Sequence, residues 1–301
     1  MSRPRILITG ATGFVARALV PELVKEADVI LLLLEEFGSG TPLPAPLNRL
    51  RADVETVYAD LRNYPITARA VRQARPDKVV HLAAVGVSDP FLNVNTALSH
   101  NVTGTLNLLR ACFQVDGVDV SQLIVARTPG ERTAMNAYAA SKAAAWSFCS
   151  MYAHTAQWPI QGAMIFQAFG PHQPSHLLVP SALQAALAGE DFPMTSGEQQ
   201  KDWIYIDDIV RGFQAHLKAE LSPGTTVEIG TGRSTRVADV VEELYRIVNR
   251  GGRPNFRAIP NRPGEDPQQT ANADQTATSI NWRAQLSLSE ALERLVKSTE
   301  Q

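Results

Sequence analysis

The sequence predicts an α/β protein built on a doubly wound parallel sheet, with a smaller C-terminal lobe. Three observations predict it. Across the first half, continuous apolar runs alternate with amphipathic helical patterns, as in parallel strands buried on both faces. The opening strand runs through a glycine-containing turn into a helix, in "LITGATGFVARALVPEL". After Pro159 the texture changes: proline density rises and polar loops separate the periodic segments. The expected boundaries are 1–170 with about 203–230 for the sheet domain, and 171–202 with 231–301 for the lobe.

Each element follows in order. "RILIT" reads as a strand, and Phe14 to Lys25 as a helix with Val15, Leu19 and Leu23 on one face. "VILLLL" and "VETVYA" are strands, "ITARAVRQA" is helical, and "KVVHLAA" is another apolar strand. A long helix is predicted from Leu98 to Phe113, then the strand "QLIVA", then a helix from about Tyr138 to His154. Beyond Pro159, "QGAMIFQAFGP" reads as a strand entering a loop, and "DWIYIDDIVRGF" as a strand entering a helix. "TTVEIGTG" is a strand, "VADVVEELYRIV" a helix, "RPGEDPQQTANADQ" a polar loop and "LSEALERLV" a closing helix.

Composition bounds the function. The 301 residues are 45% hydrophobic and 19% charged, enough for a full core. A formal net charge of -2 argues against nucleic acid or a membrane surface as partner. Cys112 and Cys149 fall inside helical patterns and read as small buried residues, not as a disulfide or metal site. The N-terminus has no signal-like apolar stretch and no run is long enough to span a bilayer, so a cytoplasmic protein is expected.

A strand, a glycine turn and a helix aim backbone N–H groups and a helix N-terminus at a pyrophosphate. Gly10 and Gly13 stand where the chain turns and a phosphate would approach. Ala16 takes the third position, where a small residue lets the helix pack on the sheet. A carboxylate is then expected at the end of the second strand, and "VILLLLEEF" supplies Glu35 and Glu36, about 25 positions after Gly10. Accepting from the adenosine ribose hydroxyls and repelling a 2′-phosphate, Glu35 favours NAD over NADP, with Arg17 as a rival phosphate ligand. The proline-rich "GSGTPLPAPL" is expected over the adenosine end.

In "YAASK", Tyr138 and Lys142 are four apart on one helix face. An ammonium there is expected to lower the phenol's pKa, so that it trades protons with a hydroxyl near neutral pH.

These segments, in this order, resemble the extended short-chain dehydrogenase/reductases, the NAD-dependent sugar-nucleotide epimerase/dehydratase family. The likeness covers nearly the whole chain and rests on "TGATGFVA", "YADLRN", "HLAA", "NVTGTLNLL", "YAASK", "AFGP", "GEQQKDWIYIDDIVRG", "NRPGE" and "INW". It implies a Rossmann-like NAD-binding domain and a substrate-binding lobe. It implies NAD contacts from Gly10, Thr12, Gly13, Phe14, Val15 and Glu35, from Asp60 and Leu61 flanking the adenine, and from Leu82, Ala83, Ala84, Asn101 and Lys142. Tyr138 becomes the general acid/base, and Lys142 lowers its pKa and holds the nicotinamide ribose. Thr128 becomes the hydroxyl that bonds the reacting oxygen, with Thr133 as its rival. Substrate contacts are expected from Val87 and Ser88, Gln167, Lys201 and Arg262, the last clamping a diphosphate.

The chain departs from the family pattern in four places. Only nine residues separate Thr128 from Tyr138, and the family's "VYG" segment is missing. Pro129 and Gly130 follow Thr128 where dehydratases carry an Asp-Glu pair, leaving Glu131 as the nearby carboxylate. Met164 and Gln167 stand where Arg and Asn are frequent. Lys201 replaces an arginine fork with a point charge. His81 reads as a packing residue at a strand end, and His172 and His176 lack the partners a metal needs, so no metal is expected.

The reading is an NAD-dependent sugar-nucleotide oxidoreductase, foremost an NDP-sugar epimerase like UDP-glucose 4-epimerase. In it, Tyr138 takes a sugar-hydroxyl proton as hydride passes to NAD and later returns to the other face. The alternatives are an NDP-keto-sugar reductase or dehydrogenase with exchangeable cofactor, and a non-catalytic NAD-binding scaffold. A homodimer is expected, through the helices 98–113 and 138–154.

Overall fold

The apolar runs become strands and the amphipathic stretches become helices. The computed structural model describes residues 3–38, 40–87, 89, 91–261 and 264–299. In chain order they form β1 (Arg5–Thr9), α1 (Phe14–Leu23), β2 (Asp28–Leu33), β3 (Val54–Tyr58), α2 (Tyr64–Ala74) and β4 (Lys78–His81). Next come α3 (Val94–Ala97), α4 (Gly104–Phe113), β5 (Gln122–Arg127), α5 (Ala137–Thr155), β6 (Ile160–Ile165) and β7 (Gln167–Phe169). The remainder are α6 (Leu178–Ala188), β8 (Phe192–Pro193), β9 (Gln200–Tyr205), α7 (Ile206–Lys218), β10 (Thr226–Ile229), β11 (Ser234–Arg236), α8 (Val237–Val248), β12 (Pro254–Asn255), β13 (Gln268–Gln269), α9 (Ala273–Ile280) and α10 (Leu288–Thr299). The chain divides into two compact units, 1–164 with 213–227 and 165–212 with 228–301.

The large sheet has seven strands in the order β10-β6-β5-β4-β1-β2-β3. The pairings from β6 through β3 are all parallel, with Ile6 opposite both Val29 and Lys78. Strand order reverses between β1 and β4, and in such sheets the crevice past the strand C-termini is where ligands bind. The predicted doubly wound sheet is therefore present.

Both faces of that sheet are covered, which explains strands without polar alternation. Leu7, Ile30, Leu32, Val79, Leu123 and Val125 join a buried cluster with Val71 of α2, Leu108 and Cys112 of α4 and Cys149 of α5. Their neighbours Ile6, Ile8, Leu31, Val80 and Ile124 are buried as well. The two cysteines are free and buried, and burial pushes both thiols up, Cys149 to about 12.

Four local differences from the sequence expectation have physical reasons. In α1, Leu19 and Leu23 are buried, but Val15 is only partly so, because it lies in the first turn beside the glycine loop. The long helix expected from Leu98 is interrupted by a π-helical turn at Leu98–Thr103 before α4 begins. The stretch "MIFQAF" is two strands: β6 ends in the large sheet at Ile165, and β7 pairs with β9 in a second sheet. The polar loop after Pro263 contains β13 and the start of α9, which buries only Thr276 and Ile280 and so carries little apolar signal.

The second sheet runs β11-β9-β13, with β7 also on β9. Its organising group is Asp202, which is fully buried. Oδ1 accepts from the Thr231 amide at 2.8 Å and the Thr231 hydroxyl at 2.6 Å; Oδ2 accepts from the amides of Gly232 at 2.9 Å and Ala271 at 3.1 Å. One carboxylate thus ties β9 to the turn after β10 and to the segment leading into α9. Asp202→Ala leaves three amides without that acceptor, so the variant is expected to lose about 3 kcal/mol of stability, measured by urea unfolding against wild type.

Candidate active site

The glycine turn is shaped by close backbone approach. Gly10 has φ +64°, and a Cβ there would lie 2.6 Å from the Ala83 nitrogen and 2.8 Å from the Leu82 carbonyl carbon. Only glycine allows β1 and the end of β4 to come this near. The Gly13 amide donates to the Gly10 carbonyl at 2.9 Å, and Gly13 caps α1 with no side-chain acceptor on the first-turn amides. Thr12, Phe14 and Val15 are partly exposed around this turn and Ala16 is buried beneath it. The backbone cradle and uncapped helix start fit a dinucleotide's pyrophosphate.

Around the turn, the other predicted cofactor residues fall as follows. Glu35 is exposed in a short 3-10 turn after β2. The Arg17 Nε donates to the Ala45 carbonyl at 2.6 Å, so this guanidinium fastens the proline-rich loop. The hydrogen bond from Arg62 holds the Asp60 carboxyl below the usual carboxylate range, and the Leu61 carbonyl accepts from Asn107 Nδ2 at 2.8 Å.

A directed hydrogen-bond chain runs inward from β4. The Ala83 amide donates to Thr9 Oγ1 at 3.4 Å, and Thr9 Oγ1 meets His81 Nδ1 at 2.7 Å. On the far side His81 Nε2 lies 2.9 Å from Thr105 Oγ1, whose proton goes to the Asn101 carbonyl at 2.7 Å. Since Thr105 donates onward, its oxygen accepts from His81, which assigns the proton to Nε2 and leaves Nδ1 to accept from Thr9. His81 is buried and neutral, a structural link between strand and helix.

Asn101 is the junction. It lies buried in the π turn, where helix geometry is locally relaxed. Its side chain accepts from the Val85 amide at 2.9 Å and donates to the Val85 carbonyl at 3.0 Å and to Ser141 Oγ at 2.9 Å. Ser141 in turn donates to the Tyr138 carbonyl at 2.8 Å. The structure therefore brings Leu82 to Ala84, Asn101, Tyr138 and Lys142 into one neighbourhood.

Asn136 caps α5, accepting from the Ala139 amide at 2.8 Å, so Tyr138 and Lys142 fall one turn apart at its start. Lys142 is 4% exposed. Burial lowers its pKa, with Arg127 adding to that, while Glu131 and Cys149 raise it. For Tyr138 the structure departs from the sequence expectation. Burial, and then Glu131, push the phenol above its ordinary value. The ammonium was expected to lower this pKa; desolvation and a carboxylate raise it.

Thr128 follows β5 as the cap of a short turn at Pro129–Arg132, its Oγ1 accepting from the Gly130 amide at 3.4 Å. That bond leaves the hydroxyl proton free to donate. Thr133 is exposed and donates to the Gly130 carbonyl at 3.4 Å. Of the residues expected to touch substrate, Val87 is 66% exposed, and Gln167 is exposed on β7. Lys201 is buried, donating from Nζ to the Asp266 carbonyl at 2.9 Å and lying 3.9 Å from Glu265. Ser88 and Arg262 lie outside the described residues. Among the described residues no cluster of His, Cys, Asp or Glu could hold a metal, and no helix is long and apolar enough to cross a membrane.

Arg127 was missed in the sequence, and Glu131 was noted only as a nearby carboxylate. The signal was present in "TPGE", whose Thr-x-x-Glu spacing is that of a capping box, with proline at the first helical position. The links through Thr9, Thr105, Asn107 and Ser141 had no comparable sequence signature.

Residues 6–230 match the sequence model of the NAD dependent epimerase/dehydratase family. A trifunctional UDP-glucose 4,6-dehydratase/UDP-4-keto-6-deoxy-D-glucose 3,5-epimerase/UDP-4-keto-L-rhamnose-reductase of Arabidopsis thaliana is 25% identical over 96% of this chain, which spans 46% of that protein's length. A probable dTDP-glucose 4,6-dehydratase of Sinorhizobium fredii is 25% identical over 97% of this chain and 92% of its own. Among solved structures, UDP-glucuronic acid 4-epimerase from Bacillus cereus, in complex with UDP-glucuronic acid and NAD, superposes with a TM-score of 0.84. It is 23% identical, with 98% of each chain covered.

The buried histidines set an acid limit on the fold. Burial, with the Lys142 charge adding to it, pushes His81 down to about 3, and burial pushes His216 down to about 4. Unfolded, both titrate near their ordinary value of about 6.5. Below that value the unfolded chain binds protons that the folded chain refuses. Stability is therefore full above it and falls as pH drops toward the folded values, by up to about 1.4 kcal/mol per pH unit for each histidine. Urea unfolding from pH 7 to pH 5 is expected to show this loss, and His81→Asn to show a shallower one.

Proposed function

The chain belongs to the NAD-dependent epimerase/dehydratase family, and on that premise we propose that it is an NAD-dependent sugar-nucleotide oxidoreductase working as an NDP-sugar epimerase. The observation that carries the reading is a lysine amine buried one helical turn from a phenol, joined through Asn101 to the strand end beside the glycine turn.

The roles follow from the chemistry of each group. The amides around Gly10 and Gly13 hold the pyrophosphate, and Glu35 accepts from the adenosine ribose hydroxyls. Asp60 and Leu61 flank the adenine, and Lys142 donates to the nicotinamide ribose. NAD, held by these residues, would supply reversible hydride transfer. Tyr138 takes the proton of a sugar hydroxyl and gives it back, and Thr128 donates to the same oxygen. Its raised pKa makes Tyr138 a proton holder at rest, and a nearby cation favours the ionised form. Val87, Ser88, Gln167, Lys201 and Arg262 recognise the nucleotide-sugar.

Two features favour epimerisation over dehydration. Pro129 and Gly130 follow Thr128 in place of an acid pair, and the Glu131 carboxylate is already committed to Arg127 and the Thr128 amide. Exposed apolar side chains on the helices around Leu98, Phe148 and Met151 support a homodimer.

Mass spectrometry of the denatured, purified protein is expected to detect released NAD. In a screen of UDP-, dTDP- and GDP-sugars without added cofactor, wild type is expected to interconvert epimers, and Tyr138→Phe to be slower by about 10²- to 10⁴-fold. Turnover only with added NADH or NADPH selects the reductase reading. Equal turnover by the variant removes Tyr138 from the mechanism.

A further inference from the structure

Where β5 runs into the turn before α5 lies a pair of opposite charges, Arg127 and Glu131, that the chemistry above does not use. Arg127 ends β5 and Glu131 lies in the turn that follows. The Arg127 Nε donates to Glu131 Oε2 at 2.8 Å and its Nη2 lies 2.7 Å from the same oxygen. The other oxygen, Oε1, accepts from the Thr128 amide at 3.0 Å. The guanidinium lies over the Trp146 ring of α5 at 4.2 Å and donates from Nη1 to Thr226 Oγ1 at 2.8 Å. A Cβ added at Gly130 would sit 3.5 Å from the Ala139 Cβ, so the turn packs on the residue next to Tyr138. Both side chains are largely withdrawn from solvent, 14% and 3% exposed.

We infer that Glu131, clamped by Arg127, is a positioning residue for the Tyr138–Lys142 pair, acting through its fixed negative charge and not as a proton donor or acceptor. This rests on the reading of Tyr138 as the group that trades protons. Both Glu131 oxygens are taken up by N–H donors, which leaves neither aimed at a substrate. The same contacts fix the turn that carries Thr128, and that turn packs on α5 through Gly130 and Ala139. The charged and titratable groups facing the pair are Glu131 and Arg127 from β5 and its turn, His81 from β4, and Cys149 from α5 itself. Of these, Glu131 acts on both members: it favours the protonated phenol and the charged amine.

The test reads Tyr138 directly. Tyrosinate absorbance is followed against pH in wild type, in Glu131→Gln and in the double variant Arg127→Met/Glu131→Gln, each compared with its Tyr138→Phe counterpart. The double variant removes both charges and keeps an apolar chain against Trp146, so it decides the matter if the single variant does not fold. In both variants the Tyr138 signal is expected to appear at lower pH than in wild type, furthest in Glu131→Gln, where the unpaired Arg127 cation adds to the shift. Folded variants whose Tyr138 ionises where wild type does would overturn the inference. The readout needs no substrate, so a failed sugar-nucleotide screen counts against the functional reading alone.

Discussion

The rest of the site is arranged around one unfavourable placement: an amine taken out of water. Lys142 is almost wholly buried, in a position where an isolated charge costs several kcal/mol. Burial pulls its pKa down, and the Glu131 carboxylate pulls it back. Lys142 occupies the second turn of α5, whose start is fixed by the Asn136 cap. Such a group is ready to donate to a ribose hydroxyl once a ligand arrives.

A second constraint brings the ligand to that amine. Gly10 lets the backbone of β1 come so near the Leu82–Ala83 peptide that no other residue fits. From Ala83 the chain of hydrogen bonds through Thr9, His81 and Thr105 reaches the Asn101 carbonyl, and the Asn101 side chain reaches Ser141 and the Tyr138 turn. The phosphate cradle and the proton-transfer pair are thus fastened to each other through five side chains, those of Thr9, His81, Thr105, Asn101 and Ser141. His81 can serve as this link because burial keeps it neutral, so one ring nitrogen donates while the other accepts.

Much of this was legible in the sequence. The parallel strands announced themselves because both faces are buried and the runs are apolar throughout, and Tyr138 and Lys142 were singled out by a four-residue spacing placed after the fifth strand pattern. What the sequence hid was of three kinds. The π turn around Asn101 has a composition that an α-helix shares, so residue type alone does not mark it. The break between Ile165 and Gln167 was hidden because a strand that changes sheets keeps its strand composition. The sign of the balance at Tyr138 was misread because spacing locates an ammonium but says nothing of desolvation, nor of a carboxylate delivered by a separate turn. Lys201, expected as a substrate contact, also holds its own strand to the loop before β13, its amine donating to the Asp266 carbonyl.

The central claim is that the Tyr138–Lys142 pair works on a dinucleotide held by the glycine turn. A crystal structure of the protein with NAD tests it most directly. The account predicts the pyrophosphate on the amides around Gly10 and Gly13, Lys142 Nζ hydrogen-bonded to the nicotinamide ribose, and the Tyr138 hydroxyl facing the nicotinamide ring. NAD bound elsewhere, or a Tyr138 ring turned away from it into solvent, would contradict the account.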